Sequence, residues 1–315
     1  MRPLRLGRCN PGFLEKARKK CCESAVLCSF PSFRVDSRRV VIVINPVSSF
    51  QNSWPQPESP LVPESPLPPP PRLAEDPPWS GWDVLQIIAV MAITLTLVPL
   101  GVVLLAHRLF YPRMSLGTIV EIPGVVLAAQ IPVYVVLLAL MYFVVEAKSG
   151  KFWEPLRWNW PTSFWAAFLA LGVVVYFVLG ALSQLLPIPS HLPIDRFFQT
   201  AREAALMSIL SVTLAPLMEE LFFRGLLYPV LARRLGTWIG ILITSAAFGL
   251  LHAAQLKYSW AVLIIFLVGL ALTTVRAITK SVGASFLVHA AYNGTLSSIL
   301  LIATDGFRHL EKLSQ

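Results

Sequence analysis

Six side chains in the last third of the sequence have the types and spacing to do chemistry together: Glu219, Glu220, Arg224, His252, His289 and Asn293. All six sit in stretches that are otherwise apolar enough to cross a bilayer. An ionisable side chain at the bilayer centre costs on the order of 2.5–3.5 kcal/mol, so each charge there needs a partner or a function. A carboxylate base, imidazoles and an amide donor are the groups needed to activate a water molecule and to stabilise an oxyanion. Taken alone, a Glu–Arg pair or a single histidine in a helical bundle is often structural glue. Two glutamates, two histidines and an asparagine at compatible depths read instead as a site.

Helical spacing sorts these residues. Glu220 and Arg224 are four apart, share a face and can pair. Glu219 is turned about 100° from Glu220 and need not join that pair. Phe248 and His252, and His289 and Asn293, are again four apart, so three helices each offer one polar face. The membrane surface can be placed at the "RRLG" turn, Trp238 and Lys280–Ser281. Glu219 and His252 then lie roughly 20 Å deep and His289 roughly 12 Å deep, at about 1.5 Å per residue. A kink or tilt near Pro216 and Gly225 would bring them to one level.

The elements that must carry these groups are membrane helices. The chain has 315 residues, 55% of them hydrophobic and only 14% charged, against roughly 25% charged in a soluble domain. The mean hydropathy is +0.65. Seven apolar stretches of span length are expected, at about 84–106, 119–145, 164–186, 205–232, 237–255, 259–279 and 282–303. The fold class is therefore an all-α polytopic transmembrane helix bundle of about seven spans with a disordered N-terminal tail. Trp153, Trp158, Trp160 and Trp165 mark one interface, as an aromatic belt would.

Ahead of the spans, 18 of the 43 charged residues fall in positions 1–80. Residues 1–54 read as a disordered basic tail. Residues 55–80 read as a linker, with 11 prolines in positions 55–78, which rules out a helix there. The transmembrane domain runs from 81 to 315, and residues 1–80 are expected to be dispensable for its folding. All four cysteines lie in the tail, so no disulfide is expected in the hydrophobic part. The net charge of +9 belongs to helix ends and the tail, and no nucleic-acid partner is expected. Lys and Arg are evenly divided between the two sets of short loops. The basic tail places the N-terminus in the cytoplasm of this integral, multi-pass membrane protein.

Three motifs stand in order on three helices: "EELFFR" is E-E-x-x-x-R, "FGLLH" is F-x-x-x-H and "HAAYN" is H-x-x-x-N. Over about residues 200–303 the sequence resembles the CAAX-prenyl-protease type II family. That family includes the bacteriocin-processing and abortive-infection-type intramembrane proteases, the CPBP metalloproteases. The resemblance implies a hydrolase, an intramembrane endopeptidase that cleaves a peptide bond near the membrane surface with glutamate-activated water. By the same resemblance Glu219 is the general base and His252 positions the water. His289 and Asn293 stabilise the oxyanion, and Glu220 and Arg224 brace the site or hold the substrate. The implied partners are membrane lipids and a peptide or protein substrate, either a prenylated CAAX C-terminus or a leader peptide. If a metal takes part, Zn²⁺ is the ion expected, held by Glu219, Glu220, His252 and His289. The metal-free mechanism is preferred, because Arg224 competes for Glu220.

Rival readings fit less well. No aspartate lies in a span, as an aspartyl protease would need. Ser285 shares a helix with His289 and reads as a small packing residue. A proton-coupled transporter or a non-catalytic membrane scaffold could use the same Glu/His cluster. A carrier, however, usually shows an internal repeat with broken helices in both halves, and none is visible here.

Overall fold

The computed structural model describes residues 76–311. The expected tail, and the linker up to residue 75, lie outside the described residues. Every regular element among the described residues is helical.

The boundaries follow local chemistry. Ser80 opens α1 (Gly81–Leu109) with a capping box: its Oγ accepts the Asp83 N–H at 3.3 Å, and the Asp83 carboxylate accepts the Ser80 N–H at 2.7 Å. A short helix, α2 (Leu116–Val120), stops at Glu121, and Pro123 then starts α3 (Pro123–Ser149) at a position where a missing N–H is harmless. The second expected span therefore begins four residues late, at the proline. Gly150, at φ +68°, closes α3 in the left-handed conformation glycine favours. After α4 (Trp165–Ser183) and a tight 3₁₀ turn (Pro193–Phe198) comes the span that carries the two glutamates.

That span, Ala201–Leu235, is not one regular helix. It runs as α5 (Ala201–Val212), α6 (Leu214–Glu219), a π-helical turn (Glu220–Leu227) and α7 (Tyr228–Leu235). Pro216 cannot donate to the Val212 carbonyl and its ring crowds it, so the chain breaks at Thr213 (φ −115°, ψ −79°). Pro229 poses the same problem to the Gly225 carbonyl. The i→i+5 widening just before it moves that carbonyl aside.

The last three helices are α8 (Thr237–Leu251), α9 (Ala261–Thr279) and α10 (Val282–Ala303). Six segments are long and apolar enough to cross a membrane: α1, α3, α4, Ala201–Leu235, α9 and α10. The helix α8, with 15 residues, is shorter. Together they give the expected bundle of about seven spans. Large apolar side chains such as Phe143, Phe177 and Ile278 point outward, as lipid contact requires.

Two close approaches set the geometry of the site. A Cβ on Gly172 of α4 would collide with the Val288 carbonyl, so α4 and α10 touch backbone to backbone beside His289. A Cβ on Gly269 of α9 would lie 3.1 Å from the Phe248 ring and 3.2 Å from the Ser245 backbone. Small residues at such crossings let membrane helices pack this tightly.

The linker assigned to residues 55–80 ends earlier than expected. The Trp79 side chain is buried, and its indole N–H donates to the Leu226 carbonyl inside the π turn at 3.1 Å. Arg233 of α7 holds Asp76 at 2.9 Å and donates to the carbonyls of Pro77 and Trp79. A bulky aromatic with a polar edge suits this role at a helix end, and the run of prolines masked it in the sequence. Trp79→Ala should cost about 3–5 kcal/mol. Thermal unfolding of the full chain in detergent checks this; an unchanged midpoint would show that the docked segment contributes nothing.

Candidate functional site: a carboxylate–imidazole cluster between four helices

The break at Thr213 and the π turn bring the glutamates level with His289, which closes the depth gap expected from straight helices. Glu219 ends α6 and Glu220 opens the π turn. His252 caps the C-terminus of α8, and His289 lies two turns into α10.

Glu220 and Arg224 form the inner pair. Both side chains are completely buried, with Arg224 Nη1 2.9 Å from Glu220 Oε1. The guanidinium also donates to the Gly269 carbonyl at 3.1 Å and to Thr273 Oγ1 at 3.3 Å. It lies 4.5 Å from the centre of the Phe248 ring, a cation–π contact sealed from water. The close approach at Gly269 is what puts that carbonyl within reach.

Glu220 has a second partner that the spacing did not reveal. His289 Nδ1 is 2.9 Å from the same Oε1. The Nδ1 proton must point at this carboxylate, which fixes the tautomer and turns Nε2 toward Glu219. His252 is fixed in the same way, since its Nδ1 is 2.9 Å from the Phe248 carbonyl and can only donate to it. Its Nε2 also faces Glu219.

Glu219 is the outer group. Its side chain is 20% exposed, as is that of His252 at 21%, whereas that of His289 is 4% exposed. His252 Nε2 lies 3.8 Å from Glu219 Oε1, and His289 Nε2 lies 3.7 Å from Oε2. These gaps are too wide for direct hydrogen bonds and suit a bridging water. With both Nδ1 atoms protonated, two imidazole lone pairs and a carboxylate converge, and all of them are acceptors. The group they suit is one that donates protons or carries positive charge.

Asn293 is one helical turn beyond His289 on α10. Its amide donates to the Ser211 carbonyl of α5 at 2.7 Å, not to either glutamate. Ser285, read as a packing residue, is fully buried, and its hydroxyl donates to the Val282 carbonyl. Tyr134 of α3 lies within electrostatic range of Glu219 and was not among the expected site residues. The available signal was Gln130 and Tyr134, a polar pair four apart in an otherwise apolar span.

The donor set also bears on Zn²⁺. Glu219, His252 and His289 are the ligand types of a catalytic zinc with one open position. Each histidine already gives its far N–H to a carboxylate or carbonyl, as zinc ligands do. Of the expected four-residue ligand group, Glu220 is bound back into the bundle through Oε1, which Arg224 and His289 share, while its Oε2 has no hydrogen-bond partner. Two ligands of one tetrahedral zinc stand about 3.3 Å apart, so the 3.7 and 3.8 Å separations are somewhat open. Among the described residues no three such side chains are drawn tight enough to hold an ion as they stand.

Fold and site together define a polytopic helical membrane protein with a carboxylate–imidazole cluster inside its bundle. Residues 201–295, the segment that carries the three motifs, match the family model described as Rce1-like, Type II CAAX prenyl endopeptidase Rce1-like. No curated protein and no solved structure gives a significant match.

Proposed function

We propose that the chain is an intramembrane endopeptidase in which Glu219 activates a water molecule for attack on a peptide bond. The observation that carries this reading is the Glu219 carboxylate set between two imidazole Nε2 atoms at 3.7 and 3.8 Å. A water held there donates one proton to Glu219 while His252 Nε2 accepts from the other and orients it. As the O–H bond breaks, the oxygen attacks the scissile carbonyl carbon and the proton moves to Glu219. Asn293 retains one amide proton beyond the one given to Ser211. It donates to the developing oxyanion, as does His289 once its Nε2 has taken a second proton from solvent, giving an imidazolium whose charge Glu220 balances through Nδ1. Glu219 then returns its proton to the leaving amine, and the C–N bond breaks. Glu220 and Arg224 hold His289 in register and do not touch the substrate. If Zn²⁺ binds, Glu219, His252 and His289 would hold it, and it would supply Lewis acidity and a lowered pKa for bound water.

The family resemblance supports a peptide substrate with membrane access, either a prenylated CAAX C-terminus or a leader peptide. The basic tail supports a cytoplasmic N-terminus. Quantitative peptidomics of membranes bearing the wild type or Glu219→Ala tests the proposal. A set of C-terminal or N-terminal fragments should vanish in the variant, and which end they come from separates the two substrate classes. Identical fragment profiles in the two membranes would refute the assignment.

A further inference from the structure

The site around Glu219 is short of proton donors. Two imidazole lone pairs and a carboxylate converge there, and the Asn293 amide already gives one proton to the Ser211 carbonyl. A peptide carbonyl entering the site needs a donor that is ready in the resting state, because negative charge gathers on its oxygen as water attacks. A neutral hydroxyl beside Glu219 meets that need without prior uptake of a proton.

Helix α3 supplies one. Between Pro123 and Met141 its only polar side chains are Gln130 and Tyr134, four apart and so on one face. A polar side chain at such depth needs a partner or a function. The two partner each other: the Gln130 amide donates to the Tyr134 phenol oxygen, which steadies the ring and leaves the phenol O–H to donate elsewhere. Pro132 sits between them and takes away the N–H that the Ala128 carbonyl would receive, so the helix is loosened at this level.

That level is also the level of Glu219. Helices α3 and α7 end on the same side of the bundle, where α1 begins: Lys148 lies 3.5 Å from Asp83, and a Cβ on Gly81 would lie 3.2 Å from Arg234. Counted back from Ser149 and Leu235 at about 1.5 Å per residue, Tyr134 lies roughly 22 Å and Glu219 roughly 24 Å deep. Helix α3 packs against α5 and α6, and Glu219 is the last residue of α6. Tyr134 is partly buried against the main core, to which Met218 and Leu221 belong on either side of the two glutamates. Its hydroxyl is within electrostatic range of the Glu219 carboxylate.

We propose that Tyr134 is a further catalytic residue of this site, its phenol O–H donating to the oxyanion that forms on the scissile carbonyl. Tyr134 has this role only if the chain is the endopeptidase proposed above. The proton stays on the phenol throughout. The hydrogen bond strengthens as charge collects on the carbonyl oxygen, so it acts on kcat and hardly on KM.

The test uses the full chain in detergent and a synthetic peptide spanning a cleavage site that is lost in Glu219→Ala membranes. Tyr134→Phe should lower kcat by about 10²-fold with KM within about twofold of wild type. Its unfolding midpoint should stay within about 2 °C, since the ring and its packing are kept. Gln130→Leu, the second variant, should lower kcat by less, and should add nothing in the Tyr134→Phe background, because it acts only through the phenol. Tyr142→Phe, at an exposed position on the same helix, should keep wild-type turnover. The proposal is overturned by wild-type kcat in folded Tyr134→Phe, by a change confined to KM, or by a loss of kcat matched by a loss of folded protein. It is equally overturned by a further loss when Gln130→Leu is added to Tyr134→Phe, or by an equal loss in Tyr142→Phe. Full turnover in Glu219→Gln would instead remove the endopeptidase mechanism itself, and the role of Tyr134 with it; an inactive Glu219→Gln beside a fully active Tyr134→Phe removes only the role of Tyr134.

Discussion

Glu219→Gln is expected to remove turnover, by about 10²–10⁴-fold from the loss of a general base alone, while leaving the protein folded. The geometry separates the two effects. Glu219 makes no hydrogen bond short enough to hold the bundle together; its nearest imidazole nitrogens are 3.7 and 3.8 Å away. Its side chain is one-fifth exposed, so an uncharged amide of the same size can be accommodated. The His252 ring stays anchored through the Phe248 carbonyl and the His289 ring through Glu220, so neither depends on Glu219 for its orientation. Purified variant and wild type, assayed on a fragment identified from membranes, should differ in kcat with unfolding midpoints close together. Full turnover in the variant would remove Glu219 from the base role. A collapse in stability would show that its contacts are structural after all.

The sequence made much of this legible, for definite reasons. Span positions follow from hydropathy, since nothing but a helix or closed barrel satisfies the backbone in lipid. The Glu220–Arg224 pair follows from i,i+4 spacing, and it persists in the π turn because residues four apart remain on one face there. The partners of that pair were not legible. Thr273 and the Gly269 carbonyl lie 49 and 45 residues away, and only a close helix crossing delivers them. The short bond from His289 to Glu220 was hidden for a related reason. Helical spacing puts Glu219 and Glu220 on different faces but does not say which faces α10. The π turn decides that, and of the two prolines that bracket it only Pro216 was legible in the sequence, as a source of distortion. The docking of Trp79 was masked by composition: a proline-rich stretch reads as solvated even where its last residues pack.

Glu220→Gln is expected to be the most destabilising conservative change in the site, at about 3–5 kcal/mol. Glu220 and Arg224 have no exposed side-chain surface, so water cannot take over when one partner is removed. The guanidinium would keep Thr273, the Gly269 carbonyl and the Phe248 face, but these are dipoles and a quadrupole and do not neutralise its charge. His289 would also lose the carboxylate that fixes its tautomer, so the variant should be inactive as well as poorly folded. The companion change makes the cause identifiable. In Glu220→Gln/Arg224→Gln no unpaired charge remains, and the Gly269 carbonyl is still satisfied, because the Thr273 hydroxyl donates to it at 2.7 Å. The double variant should therefore regain most of the lost stability, a coupling of several kcal/mol in a double-mutant cycle. Activity should not return with it, because a neutral amide at position 220 accepts from His289 Nδ1 without the charge that stabilises an imidazolium. Denaturant or thermal unfolding of the four proteins, alongside peptide cleavage, reads both quantities. If the double variant is no more stable than Glu220→Gln alone, the loss comes from packing in the π turn and not from a stranded guanidinium.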